Sequence, residues 1–161
     1  MPPSAKAHTK YTLERIGFIL TKWLKGQIFA MLIIAVLTST GLTILNVPMA
    51  IALALIAGVL NFIPNFGPLI AMVPAILIAL TQGVNKAIVV AILYILVQIL
   101  ESNIITPSIQ KKLINIPPAL TILAQLFMGI LSGGWGLVLA TPLVAILMIV
   151  VQETYVRKIS Q

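Results

Sequence analysis

The stretch Asn61-Phe62-Ile63-Pro64-Asn65-Phe66-Gly67-Pro68 sets two prolines, a glycine and two amides between apolar runs. Proline removes a backbone donor and fixes φ, and glycine admits angles that other residues avoid, so no continuous helix is expected through it. The flanking runs, Val47 to Leu60 and Leu69 to Thr81, are therefore predicted to be separate helices meeting at an irregular tip. In a bilayer, irregular backbone survives only where protein or a water-filled cavity shields it. The tip is thus a candidate site as well as a turn.

The rest of the chain explains why a bilayer is the right solvent to consider. Of 161 residues, 60% are hydrophobic and 8% charged, and the mean hydropathy is +1.15. Soluble domains are about half apolar and about a quarter charged, so an all-α integral membrane protein is expected. There is no cysteine, which excludes disulfides and thiolate chemistry, and His8 stands alone in the polar N-terminal tail. With no nucleophile–base pair and no metal cluster, the expectation is no catalytic residue, no metal or other cofactor, and no enzyme. The net charge of +7 would suggest nucleic acid in a soluble protein. Here the basic residues cluster at the ends of apolar runs, which assigns them to topology and anionic lipid; the expected partner is the membrane, not nucleic acid.

Met1 to Ala7 reads as a disordered start. From Thr9, the residues Leu13, Ile16, Leu20, Trp23 and Leu24 repeat at helical spacing, with Lys10, Glu14, Lys22 and Lys25 opposite. This is a basic amphipathic helix, lying either in the headgroup region or against its own protein. Met1 to Gly26 lacks the early apolar core of a cleavable signal peptide, so the first apolar run is expected to stay in the membrane.

Six apolar segments follow: Ile28 to Leu45, Val47 to Leu60, Leu69 to Thr81, Ala87 to Leu100, Ala119 to Leu131 and Leu137 to Val151. A full crossing takes about 20 residues, and runs of about 10 to 14 are more often re-entrant or buried. The pairs flanking Pro64–Gly67 and Ser132–Gly136 are therefore hairpins that either span or re-enter. Nine of the ten Lys and Arg residues fall on one side if each hairpin returns to the side it left; only Lys86 lies on the other. That side is cytoplasmic by the positive-inside rule, and both termini are predicted to lie there.

Asn46-Val47-Pro48-Met49-Ala50 reappears as Asn115-Ile116-Pro117-Pro118-Ala119, and the same 69-residue offset links Gly67 to Gly136 and Ala71 to Ala140. Pro74 and Pro142 are 68 apart. Two copies of one unit are predicted, each a long helix followed by a broken hairpin. An odd number of segments per copy makes the second enter from the opposite face, an inverted repeat of the kind used by secondary transporters. The predicted organisation is a polar tail and amphipathic helix over 1–27, repeats over 28–83 and 84–152, and a cytoplasmic tail over 153–161.

Gln98, Glu101 and Asn103, closed by Thr106 and Pro107, are the candidates for ion coupling, because a charge near hydrocarbon is costly enough to imply function. Gln98 and Glu101 are three residues apart and share a helix face. The other reading pairs Glu101 with Lys111, Lys112 or a backbone group. Asn61 and Asn65 either coordinate a ligand or cap the helices at the tip. With Pro64, Gly67 and Pro68 they form one candidate pathway element; Ser132, Gly133, Gly134 and Gly136, around Trp135, form the other. Pro74 and Pro142 are predicted to kink their helices. Gln125, Thr38, Ser39 and Thr40 read as groups that hold helices together.

Trp23-Leu24-Lys25-Gly26-Gln27, Ile63-Pro64-Asn65-Phe66-Gly67-Pro68 with Pro74, Gln98-Ile99-Leu100-Glu101-Ser102-Asn103 with Pro107, and Gly136 to Leu143 with Ala140, Thr141 and Pro142 together resemble the autoinducer-2 exporter family of bacterial and archaeal membrane permeases. Two departures stand out. Members are usually much longer, with further transmembrane helices and a soluble helical region before the matching part, so the chain resembles a C-terminal half. The loop that usually carries a glycine–arginine pair reads Lys111-Lys112-Leu113. The resemblance implies export of a small polar metabolite or signal such as autoinducer-2, sodium or proton coupling, homo-oligomers and a cytoplasmic (inner) membrane location. The expected function is secondary transport around the two tips. The rival expectation is a non-transporting oligomeric membrane scaffold or truncated paralogue, bound to lipid through its basic helix.

Overall fold

The computed structural model describes residues 3–110 and 118–159. Among them the structure is helical: α1 Pro3–Ile44, α2 Ala50–Leu60, α3 Phe66–Leu80, α4 Val84–Leu100, one π-helical turn Glu101–Ile105, α5 Thr106–Gln110 and α6 Pro118–Ile159. The copy of the Asn-x-Pro motif at Asn115–Pro117, and Lys111 and Lys112, lie outside the described residues. The chain divides into two compact units, Gly26–Lys111 and the two ends together, Met1–Lys25 with Lys112–Gln161.

The first helix corrects two expectations. α1 runs 42 residues without a break, so the amphipathic stretch and the first apolar segment are one helix, and the start expected to be disordered is helical from Pro3 onward. Proline is tolerated in a first turn because its missing N–H has no helical partner there. Gly26, just before the predicted boundary between 27 and 28, costs a helix interior only about 1 kcal/mol, too little to break a long cooperative run.

In the unit Gly26–Lys111, small residues set the packing. Gly67, Ala71, Ala75 and Ala79 recur every fourth position along α3 and all are buried, letting α3 pack closely on both α2 and α4. A Cβ added at Gly58 would lie 2.8 Å from the Ala35 Cβ and 2.9 Å from the Met31 carbonyl, so α1 and α2 are nearly in backbone contact. Gly41 similarly receives the Leu93 side chain of α4. Leu42, Val47, Leu53, Ala57, Val90, Tyr94 and Val97 complete the core. Leu32, Val36, Ile51, Leu55, Val73, Leu77 and Ile92 point outward and are exposed; helices that stay apolar on their outer face suit lipid, not water.

Side chains also tie the helix ends. The Lys86 ammonium donates to the Leu45 carbonyl at 2.7 Å, and the Gln82 amide to the Asn46 carbonyl at 2.9 Å. Both acceptors follow the end of α1, where carbonyls lack helical partners. The one basic residue assigned to the far side is therefore a helix cap.

In the other unit, α6 is two helices joined at Gly133, whose φ of 62° and ψ of −141° leave helical space. A Cβ added at Gly136 would lie 1.9 Å from the Met128 carbonyl oxygen, so the chain has turned back on itself within eight residues. The break falls within the predicted Ser132–Gly136 tip, where Ser132, Gly133, Gly134 and Trp135 are exposed and Gly136 is buried. Ala140, Thr141, Val144, Ala145 and Gln125 are also buried. Pro74 and Pro142 lie inside α3 and α6, and both helices continue past them.

Among the described residues three stretches are long and apolar enough to cross a membrane: Leu13–Ile44, Val84–Ser108 and Ala119–Met148. The third contains the Gly133 break, and α2 and α3 are shorter apolar helices.

Candidate functional site

The tip at 61–67 is closed by backbone hydrogen bonds. The Asn61 N–H donates to Ala57, Phe62 to Val59, Ile63 to Leu60, Phe66 to Pro64 and Gly67 to Ile63, all at 2.9–3.1 Å. Asn65 takes φ 70° and ψ −47°, the centre of a γ-turn closed by the Phe66 N–H on the Pro64 carbonyl, a rare and strained geometry. Gly67 sits so close to the end of α2 that an added Cβ would be 1.8 Å from the Leu60 carbonyl oxygen. Pro64 and Pro68 are half-buried beside it, and Asn65 is exposed.

The two asparagines part ways. Asn65 precedes α3 but makes no side-chain cap. Asn61 is the C-cap of α2 and is 0% exposed. Its backbone carbonyl accepts a 2.6 Å hydrogen bond from the Gln27 side-chain amide of α1, itself buried. Its own side chain lies against the Glu101 carboxyl, as does Gln98. Yet both amide atoms of Asn61, Oε1 of Gln98 and Oε2 of Glu101 are buried with no partner at hydrogen-bonding geometry.

Glu101 is 5% exposed and opens the π-helical turn. Pro107 accounts for that turn: it has no N–H, and its ring would clash with the carbonyl four residues back, that of Asn103. The Thr106 N–H instead donates to the Glu101 carbonyl, five residues back. Such π-turns recur at functional sites. Here the wider turn carries Glu101 inward and leaves Asn103 exposed, its amide donating to the Ile99 carbonyl at 2.9 Å. Of the three predicted coupling residues, Glu101 and Gln98 meet, Asn103 stays apart, and Asn61 joins from the tip.

Three unpaired oxygens and one formal charge thus converge in an apolar unit. Chemically, a proton or a cation placed there would satisfy the acceptors and offset the buried charge. Gln27 was visible in sequence only as part of a motif. The available signal was a lone amide just before an apolar run, but its partner lies 34 residues away. Gln27→Leu strands the Asn61 carbonyl and should cost about 1–3 kcal/mol, read as a lower unfolding midpoint in detergent.

Comparison with known proteins shows the family. The model of the AI-2E family transporter family matches residues 1–156. YrrI of Bacillus subtilis (strain 168) is 36% identical over 146 residues, covering 91% of this chain and 41% of YrrI. The AI-2 transport protein TqsA of Escherichia coli (strain K12) is 32% identical over 114 residues, covering 70% of this chain and 33% of TqsA. The chain spans 41% and 33% of the length of these two curated relatives. With a family match over nearly all of a chain built from apolar helices and broken tips, this is a multi-pass membrane protein that belongs to the AI-2E transporter family.

Proposed function

We propose that the chain forms the C-terminal, ion-coupling part of a secondary exporter of a small polar solute such as autoinducer-2. The observation that carries this reading is the buried cluster in which Glu101, on a π-turn, faces Asn61 at the end of a broken hairpin. Sodium or a proton binds there and is exchanged for the solute. The site lies in the cytoplasmic half of an inner membrane, both termini are cytoplasmic, and the protein works as a homo-oligomer.

The hairpin α2–α3 spans the apolar layer in this reading. Gln27 meets Asn61 at one end, while Gln82 and Lys86 meet Asn46 and Leu45 at the other. The two helices therefore run alongside the whole apolar part of α1. An inverted repeat is supported by the matched approaches of Gly67 to Leu60 and Gly136 to Met128, on glycines 69 residues apart. The second tip is then the counterpart from the opposite face.

The test is reconstitution of the chain in liposomes loaded with autoinducer-2. An imposed sodium or pH gradient should accelerate efflux, and dissipating both gradients should return it to the passive rate. Efflux indifferent to either gradient removes ion coupling; no efflux beyond empty liposomes, both from the chain alone and with the N-terminal half of a relative co-reconstituted, favours the scaffold reading.

A further inference from the structure

We propose that the cleft between α3 and α4 is the aqueous mouth of the solute path and that Tyr94 lines it, a reading that rests on the transport function proposed above. Tyr94, Gln98 and Glu101 stand four and then three residues apart on α4 and the turn that follows, hence on one face. Each buries a polar atom without a hydrogen-bond partner: Tyr94 Oη, Gln98 Oε1 and Glu101 Oε2. Past Lys86 in its first turn, the remainder of α4 is apolar, so this stripe is the polar line along the helix.

A buried hydroxyl with no partner carries a desolvation penalty, and phenylalanine would fill nearly the same volume without it. Its presence at a 5% exposed position makes sense if another state of the cycle supplies the partner. Space for one lies beside Tyr94, from which its hydroxyl is closed off in this state. A cavity of about 110 Å³ opens between the two helices, its surface mostly apolar, lined by Pro68, Leu69 and Met72 of α3 and by Tyr94, Ile95, Gln98 and Ile99 of α4. At about 30 Å³ per water it holds three or four molecules, or a solute of similar bulk. Pro68 brings the tip to the same space, so a small parting of α3 from α4 exposes the stripe and the tip together. A solute bearing hydroxyl and carbonyl groups then meets a donor at Tyr94 and acceptors at Gln98 and Glu101.

Single cysteines test this without a flux measurement, because the chain has none of its own. A charged, membrane-impermeant methanethiosulfonate reacts with hydrated thiolates. In membrane vesicles it should label Met72→Cys, in the cleft, faster than Val73→Cys, which is exposed on α3 away from it. Adding Tyr94→Phe to Met72→Cys should slow labelling about fivefold, the factor that one net hydrogen bond represents, with an unchanged or higher unfolding midpoint. Should Met72→Cys fail to fold, Ile99→Cys against Ile92→Cys makes the same comparison. Equal labelling within a pair overturns the cleft. A Tyr94→Phe change that lowers the unfolding midpoint and leaves labelling unchanged reduces Tyr94 to a packing residue. Since labelling is read apart from gradient-driven efflux, loss of one result with retention of the other shows which reading has failed.

Discussion

Glu101→Gln should abolish gradient-driven efflux from proteoliposomes while leaving the chain folded. Glutamine matches glutamate in size and keeps an acceptor oxygen, but it neither ionises nor takes up a proton. The variant therefore removes the charge from the cluster with Asn61 and Gln98 and little else. A loss of at least about tenfold is expected, since tenfold corresponds to only about 1.4 kcal/mol of barrier and a buried charge near hydrocarbon involves more than that. Stability should stay level or rise, because a carboxylate with an unpaired buried oxygen is replaced by a neutral group with a smaller desolvation cost. Glu101→Asp, which keeps the charge but withdraws it by one methylene, should fall between the two. Wild-type coupling in Glu101→Gln would take the residue out of the mechanism, whatever its burial.

The second large effect is structural and falls on Gly67→Ala. The new Cβ would sit 1.8 Å from the Leu60 carbonyl oxygen and 2.5 Å from its carbon. These are backbone atoms at the end of α2, so no rotamer change relieves the overlap; the tip itself must open. Overpacking commonly costs about 1–3 kcal/mol and occasionally more, and a clash with fixed backbone belongs at or above the upper end. Opening the tip also carries Asn61 away from Glu101, so coupling should be lost with stability. The same reasoning applies to Gly136→Ala against the Met128 carbonyl at 1.9 Å. Gly17→Ala is the control: nothing lies within 4 Å of its added Cβ, and alanine gains up to about 1 kcal/mol in a helix. Unfolding midpoints in detergent should fall sharply for Gly67→Ala and Gly136→Ala and hold or rise for Gly17→Ala. Equal midpoints for all three would mean that the tips are looser than the structure shows.

Much of this architecture was legible because it depends on residues close in sequence. Pro64, Gly67 and Pro68 end one helix and start another by their own backbone chemistry, and Gly133 breaks α6 the same way. The site was half legible. Gln98 and Glu101 share a face by spacing alone, whereas Asn103, two residues further on, is separated by the π-turn. Pro107 held the clue, since its missing donor forces the register change, but a proline equally announces a helix end. The N-terminal misreading has a similar origin. Lys22, Lys25 and Gly26 mark a change of surroundings along α1, from polar to apolar, and a helix passes through such a change without breaking.

The sequence by itself determined the solvent this chain is built for, the places where its helices break, and the identity of the one acidic group near its apolar layer. Those follow from composition and local backbone chemistry. Only the tertiary structure decided that Asn61, at the tip between α2 and α3, turns its side chain toward Glu101 and its carbonyl toward Gln27. Those partners lie 40 and 34 residues away, brought together by the close approach of α1 to α2 and of α3 to its neighbours along stripes of glycine and alanine. Spacing along the chain encodes which face a residue occupies; which faces meet is set by how tightly the helices pack.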